Sequence, residues 1–433
     1  MKIFVSILLC YCFSSLTAQS FQSNQNSALL FCSYLQQNKL DSAYEVFDQK
    51  AKNQMSKSLF EGTWNSIIQK MGVLERYSLN LHKEVNSSVV IVYCEFSQNK
   101  IDMKIPFSET NKILGFTFIP HTEQQKNYAL PGYDNPTKYV EKEIIIKSTV
   151  ALPAMQTIPL NNKQFPIAIF IHGSGPNDKD ETIGPNKIFK DLSIGLALNG
   201  IASIRYDKRT YVNKKLDTVT VEKEIIDDVL EVIKYIESNN ELKGRKIFLI
   251  GHSLGAMIAP EIALRSEKVT GIVCLAASPR RLEELLIDQV KYLANSDNLI
   301  SSSEQEQINI LSKQIQFMRD SITAECPSEK LPMGLPASYW LSLQKYDYLK
   351  VMKSNKKPLF VLQGEKDYQV TMKDFNLIKD SLANRSETAF KVYPALNHLF
   401  LENNGEIGPN QYYFQSNVPY YVIEDISKWI NKY

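Results

Sequence analysis

Very little in this chain pulls toward one sign of charge. Lys and Arg number 49 and Asp and Glu 47, for a formal net charge of +2. That leaves no long-range field to gather nucleic acid or an anionic membrane surface. No basic cluster with interleaved aromatics supplies a local one. Cysteine is scarce, six in 433 residues, with no C-x-x-C pair and no His/Cys group at metal-ligand spacing. Histidine is scarcer still, at five, so each can be weighed singly as a catalytic base. No apolar run reaches the roughly 20 residues that a bilayer-spanning helix requires. These absences argue against nucleic-acid binding, zinc modules, thiol redox domains and membrane spans. What remains, 44% hydrophobic and 22% charged residues, is the make-up of an ordinary globular protein, long enough for two domains.

The first 18 residues read as a secretory signal peptide. Lys2 is a short positive region, an apolar stretch begins at Ile3–Leu9, and Leu16-Thr17-Ala18 offers small residues for cleavage before Gln19. Cys10 and Cys12 lack the preceding small residues that lipidation needs. The expected location is therefore periplasmic or extracellular. Cleavage leaves Cys32, Cys94, Cys274 and Cys326, all but the last in apolar runs. Free buried cysteines are the simpler reading, and a Cys32–Cys94 disulfide stays open in an oxidising compartment.

From 19 to 120 the pattern is that of a small α+β domain. Helical spacing covers residues 24–37 and 41–49. Ser58-Leu-Phe-Glu61 has the form of a capping box opening a third helix with Trp64, Ile67, Ile68 and Met71. The period then changes to two, with strand runs at 74–81, 88–96, 101–107 and 113–119. The domain resembles the cone-shaped nuclear transport factor family, and an uncharacterised module found before secreted hydrolases. Its one histidine, His82, reads as a solvated strand-end residue. Residues 121–139, with Pro131-Gly132 and Asn135-Pro136, form a linker.

From residue 140 to 433 strands alternate with helices. Strand runs fall at 143–147, 150–155, 167–171, 201–206, 247–250, 271–276, 359–363 and 390–393. Continuously apolar strands between amphipathic helices imply a mostly parallel eight-stranded sheet covered on both faces. Ligands of such sheets bind beyond the carboxyl ends of the strands.

The chain is organised around Gly251-His252-Ser253-Leu254-Gly255, set between the apolar run Ile247–Ile250 and a small-residue helix start. G-x-S-x-G in a strand–turn–helix context presents a serine on a turn too tight for ordinary residues. The glycines leave room where strand and helix would clash, and the Leu254 N–H sits at a helix N-terminus, aimed at an oxyanion. His172-Gly173-Ser174-Gly175-Pro176 follows the third strand and suits a second oxyanion donor. Gly364-Glu365-Lys366-Asp367 follows a later strand, and Asp367 rather than Glu365 is placed to orient a histidine. The base follows by elimination. His82 lies in the small domain, His121 in the linker, His172 in the glycine-rich loop, and His252 beside the nucleophile, which leaves His398. The order Ser253, Asp367, His398 is the order that the G-x-S-x-G fold uses.

With these motifs the chain resembles the α/β-hydrolase family over about residues 140–433, preceded by the small α+β domain. The wording is closest to secreted bacterial enzymes near serine aminopeptidases and dienelactone-hydrolase-like esterases. It is carried by His-Gly-Ser-Gly-Pro-Asn-Asp from His172, Arg-Tyr-Asp-Lys-Arg-Thr from Arg205, Gly-His-Ser-Leu-Gly from Gly251 and Tyr-Pro-Ala-Leu-Asn-His-Leu-Phe from Tyr393. Ala395 stands where that pattern has glycine. The resemblance implies Ser253 as nucleophile, Asp367 and His398 as its partners, and the N–H groups of Ser174 and Leu254 as oxyanion hole. It implies no metal and no organic cofactor. Asp207-Lys208-Arg209 reads as an ion-paired structural cluster, and Asp178, Asp180 and Glu181 as a solvated loop rather than a metal site. Residues 279–350 interrupt the alternation and suit a helical lid, its second helix opened by a capping box at Ser303-Glu-Gln-Glu306. Tyr339 and Trp340 are its candidate pocket aromatics. The expected function is a secreted serine hydrolase of carboxylic esters with a small-molecule or short-peptide substrate; a peptidase, amidase or thioesterase with the same triad is the alternative.

Overall fold

The computed structural model describes residues 23–79, 88–121, 128–213, 219–295, 299–402, 405 and 407–433. The expected leader and His82 lie outside them. The chain forms two compact units, residues 1–125 with 294–311, and residues 126–293 with 312–433.

In the first unit, helices at residues 23–36, Leu40–Glu45, Gln49–Gln54 and Lys57–Met71 precede four antiparallel strands. These are β1 (Leu74–Leu79), β2 (Val89–Phe96), β3 (Lys100–Pro106) and β4 (Thr117–Pro120), in spatial order β1-β2-β3-β4. Phe31, Phe60, Trp64, Val92 and Met103 pack between helices and sheet. Two expectations are corrected. The helix expected over 41–49 is two helices, because Asp48 accepts the Lys50 N–H and starts a new one. The third helix is capped by Ser56, whose hydroxyl accepts the Leu59 N–H at 3.2 Å, so Ser58 and Glu61 lie inside it. Cys32 and Cys94 are both buried and unbridged.

In the second unit the large sheet contains β5 (Tyr139–Ile146), β6 (Leu152–Pro159), β7 (Ile167–Ile171), β10 (Ala202–Tyr206), β11 (Ile247–His252), β12 (Val269–Leu275), β13 (Leu359–Gly364) and β14 (Thr388–Tyr393). A hairpin of β8 (Thr182–Ile183) and β9 (Asn186–Lys187) stands apart from it. The order is β14-β13-β12-β11-β7-β10-β6-β5, with only β5, β6 and β10 paired antiparallel. Every residue of β7, β10, β11 and β13 is buried, as expected of strands covered on both faces. After β7 the chain adds β10 on one side and later β11 on the other. The strand order therefore reverses between β7 and β11, and a crevice opens beyond their carboxyl ends.

The insertion between β12 and β13 contains helices Leu282–Ala294, Ser302–Ser321, Ala337–Leu343 and Tyr348–Ser354. Its capping box lies two residues before the expected one. The Glu304 N–H donates to Ser301 Oγ and the Ser301 N–H to Glu304 Oε2. At both misplaced boxes a serine stands two positions upstream, and the pattern alone does not rank the two. The helix expected over 221–238 opens as a π-turn, Glu222–Asp227, before continuing as Asp228–Ser238.

Candidate active site

β11 ends in the turn that presents Ser253. Its backbone sits at φ 53, ψ −119, a strained conformation for a residue with a side chain. The flanking glycines explain how the turn closes. A Cβ on Gly251 would collide with the Gly255 carbonyl, and one on Gly255 with the Ile171 carbonyl of β7. The Leu254–Arg265 helix begins immediately after Ser253, and neither the Leu254 nor the Ser174 N–H has a backbone acceptor among the described residues.

β13 delivers the carboxylate. Asp367 Oδ1 accepts the Gln369 and Val370 N–H groups at 2.8 and 2.9 Å, and Oδ2 accepts Gln363 Nε2 at 3.1 Å. His398 Nδ1 lies 2.7 Å from the same Oδ2, with both side chains buried. An acceptor there requires the proton on Nδ1 and leaves Nε2 able to accept one. Asn397 shapes the histidine loop by accepting the Leu399 and Leu401 N–H groups. A Cβ on Gly364 would collide with the Leu396 carbonyl, so glycine lets the two loops meet. Glu365 is exposed, in keeping with the preference for Asp367.

Ser253 and His398 line one cavity of about 580 Å³. No hydrogen bond joins them in this structure, and such bonds commonly tighten only when substrate binds. Gly173, Ser174 and Leu254 border the cavity, and Leu282, Leu285, Leu286, Met257 and Val370 make much of its wall apolar. Tyr339 reaches it and donates its hydroxyl to Glu224 Oε2 at 3.0 Å. Trp340 is corrected. It is fully buried, donates to the Pro332 carbonyl and does not line the cavity, because neighbours on a helix point about 100° apart.

The acidic loop is a second correction. Asp180 and Glu181 are buried rather than solvated. Asp180 pairs with Arg205 at 2.8 Å and with Lys187 at 3.0 Å. Burial pushes its pKa up, but these cations outweigh burial and hold it below the usual carboxylate value. Glu181, at φ 48, accepts the Gly173 N–H with Oε1 at 2.6 Å and faces His252 Nδ1 with Oε2 at 3.1 Å. His252 Nε2 donates to the His398 carbonyl at 2.9 Å. Burial works against charge on both groups, yet each holds the other ionised. Glu181 therefore lies below its ordinary pKa and His252 above. Burial lowers His172 to about 4, and it stays neutral, donating Nε2–H to the Asp178 carbonyl.

The cluster after β10 is ion-paired as expected. Arg209 binds Asp228, and Lys208 binds Glu224 at 3.3 Å. Sequence reasoning missed how close Lys208, Glu181 and Glu224 come to the nucleophile. The available signal was charge at the end of an apolar strand. Among the described residues no group of three or more His, Cys, Asp or Glu side chains could hold a metal ion.

Residues 187–404, half of the chain, match the family described as serine aminopeptidase, S33. The chain belongs to that family. Esterase EstD of Thermotoga maritima is 34% identical over 417 residues, covering 95% of this chain and 96% of EstD. Residues 28–116 match a family described as a protein of unknown function, DUF3887. Among solved structures, Est1E from Butyrivibrio proteoclasticus is 16% identical, covering 67% of this chain and 98% of that one at a TM-score of 0.44. Dienelactone hydrolase from Anabaena variabilis is 14% identical, covering 68% and 99% at 0.41. The S33 match takes in Ser253, Asp367 and His398 but begins after the His172–Gly175 loop.

Proposed function

We propose that this S33-family protein is an exported carboxylic ester hydrolase that works through Ser253, His398 and Asp367. The buried Asp367–His398 contact of 2.7 Å, on the cavity that also holds Ser253, carries the reading. In this mechanism Asp367 keeps the His398 proton on Nδ1. Nε2 takes the proton of the Ser253 hydroxyl as Oγ bonds to the ester carbonyl carbon, and the carbonyl electrons move to oxygen. The Ser174 and Leu254 N–H groups stabilise that oxyanion. Collapse expels the alcohol, protonated by His398, and leaves an acyl-serine. Water, deprotonated by the same nitrogen, releases the acid.

Esters are favoured over peptides by the state of the cavity's carboxylates. A peptidase that grips a substrate amine needs a carboxylate free to accept it. Glu181 is engaged by Gly173 and His252, and Glu224 by Lys208, Thr210 and Tyr339. The apolar wall suits an alkyl or aryl group, and the family likeness to an esterase agrees with this.

The test compares p-nitrophenyl esters of graded acyl length with aminoacyl p-nitroanilides, using Ser253→Ala as control. Ester turnover that disappears in the variant, with covalent fluorophosphonate labelling that disappears in parallel, is expected. Anilide turnover above ester turnover refutes the ester assignment; labelling that survives in Ser253→Ala refutes the nucleophile. Export is tested by N-terminal sequencing of protein from the producing cells, expected to start at Gln19.

A further inference from the structure

Lys208 stands at the end of β10 and is 1% exposed. Its ammonium contacts three oxygens: the Gly173 carbonyl at 3.0 Å, the Gly175 carbonyl at 2.8 Å and Glu224 Oε1 at 3.3 Å. It donates hydrogen bonds to the two carbonyls and forms an ion pair with the carboxylate. Two of those acceptors belong to the loop that carries Ser174.

The Gly173 carbonyl and the Ser174 N–H are the two ends of one peptide group. Among the described residues no peptide bond is cis, so these ends point in opposite directions across a plane. A cation fixed on the carbonyl fixes the direction of the N–H. It also withdraws electron density through the amide and strengthens that N–H as a donor. The preceding peptide is held as well, by Glu181 Oε1 on the Gly173 N–H at 2.6 Å. Gly173 has no side chain to restrict its own dihedrals. Its surroundings leave a side chain little room, since a Cβ would lie 3.1 Å from Glu181 Oε1 and 3.2 Å from Ser253 Cβ. Two buried ions of opposite sign therefore supply the restraint that a side chain would otherwise give.

We propose that Lys208 is a positioning residue for ester hydrolysis. With Glu181 it clamps the two peptides of Gly173 and aims the Ser174 N–H at the oxyanion. The cluster after β10 then has a part in turnover besides its ion pair with Glu224. This rests on the reading of Ser253 as nucleophile and of Ser174 as oxyanion donor. The clamp predicts a loss that appears in the transition state and not in substrate binding.

The experiment uses the full chain, a p-nitrophenyl ester and a trifluoromethyl ketone. Ser253 Oγ adds to the ketone carbonyl, the electron pair moves to oxygen and the serine proton to His398, so the adduct carries the oxyanion. Lys208→Met keeps the stem of the side chain and removes the charge. It should lower kcat about 100-fold, the low end of the cost of losing one oxyanion donor. KM should stay within about threefold, and ketone affinity should fall by the same factor as kcat/KM. A folded Lys208→Met protein with kcat within about threefold of the parent overturns the proposal, as does a kcat loss with unchanged ketone affinity. If Lys208→Met does not fold, the other half of the clamp decides. In Glu181→Gln the amide oxygen still accepts the Gly173 N–H and the amide N–H meets a neutral His252, whereas Glu181→Leu offers neither. Gln should retain kcat within about fivefold and Leu should lose about 100-fold; equal losses overturn the proposal. Ser253→Ala separates the two readings. Turnover that survives it refutes the nucleophile, while its loss beside an active Lys208→Met protein refutes the clamp alone.

Discussion

Asp367→Asn is the sharpest test of the proposed chemistry, because every group that touches this carboxylate is a donor. Two backbone N–H groups reach Oδ1, and Gln363 Nε2 and His398 Nδ1 reach Oδ2. Asparagine has one acceptor oxygen and one NH₂ group. Its oxygen suits the pair of backbone donors at 2.8 and 2.9 Å, so the NH₂ must face Gln363 and His398. His398 can accept that N–H only through an unprotonated Nδ1, which moves its proton to Nε2. The nitrogen needed to deprotonate Ser253 then carries a proton already. The expected loss is about 10⁴-fold in kcat, or about 5.5 kcal/mol of barrier at 1.36 kcal/mol per decade. KM should change little, since Asp367 does not line the cavity. Gln363 keeps the Gly364 and Val370 carbonyls as acceptors for its two N–H groups, so the fold should survive the change. The assay is initial-rate hydrolysis of a p-nitrophenyl ester, with thermal melting to confirm folding. A folded variant that keeps kcat within about tenfold of the parent refutes the tautomer argument.

Three other outcomes follow from the same geometry. Gly255→Ala places a Cβ against the Ile171 carbonyl and 2.6 Å from that of His172; as β7 cannot retreat within a packed sheet, unfolding free energy should drop by about 3 kcal/mol or more, read by denaturant titration. Burial raises the Asp191 carboxyl to about 6, above the usual value of 3.8, against the Val418, Tyr128 and Asn417 donors that favour its charge. A raised acid stabilises the fold at low pH and loses that contribution as pH rises through about 6, so the wild-type melting temperature should fall from pH 5 to 7 relative to Asp191→Asn, and parallel profiles would count against it. In native protein at pH 8, iodoacetamide should modify Cys326 first, because Cys274 is buried and held at about 12, and the Cys32 thiol is raised by its hydrogen bond to Cys94 and by burial; mass spectrometry of the labelled peptides checks the order.

Several parts of this protein could be read from residues alone, for local reasons. The buried parallel strands of the large sheet are short apolar runs bounded by turn formers and lie within about two residues of where the pattern puts them, whereas the antiparallel β5 and β6 carry polar residues and extend four residues beyond it, β5 back to Tyr139 and β6 on to Pro159. The Gly251–Gly255 turn is recognisable because only glycine fits its two close approaches. Asp367 and His398 stand out because each follows a strand and few other histidines compete. Helix starts were less legible. Ser56 and Ser58, like Ser301 and Ser303, present equivalent hydroxyls, and the choice depends on which backbone N–H each can reach in three dimensions.

Burial of charge was decided only by the tertiary structure. Asp180 and Glu181 look like loop acids in the sequence, and Trp340 like a pocket aromatic. Arg205, His252 and Pro332, brought from 25, 71 and 8 residues away, set where these side chains lie. A local pattern records which face of an element is apolar and which turn is tight. It holds no record of which distant cation will neutralise a carboxylate. The sequence by itself thus determined the sheet, the elbow and the identities of Ser253, Asp367 and His398 as candidates. The fold decided that Lys208 and Glu181 would meet across Gly173, because ions can be buried only where a partner of opposite charge, or enough donors and acceptors, closes around them.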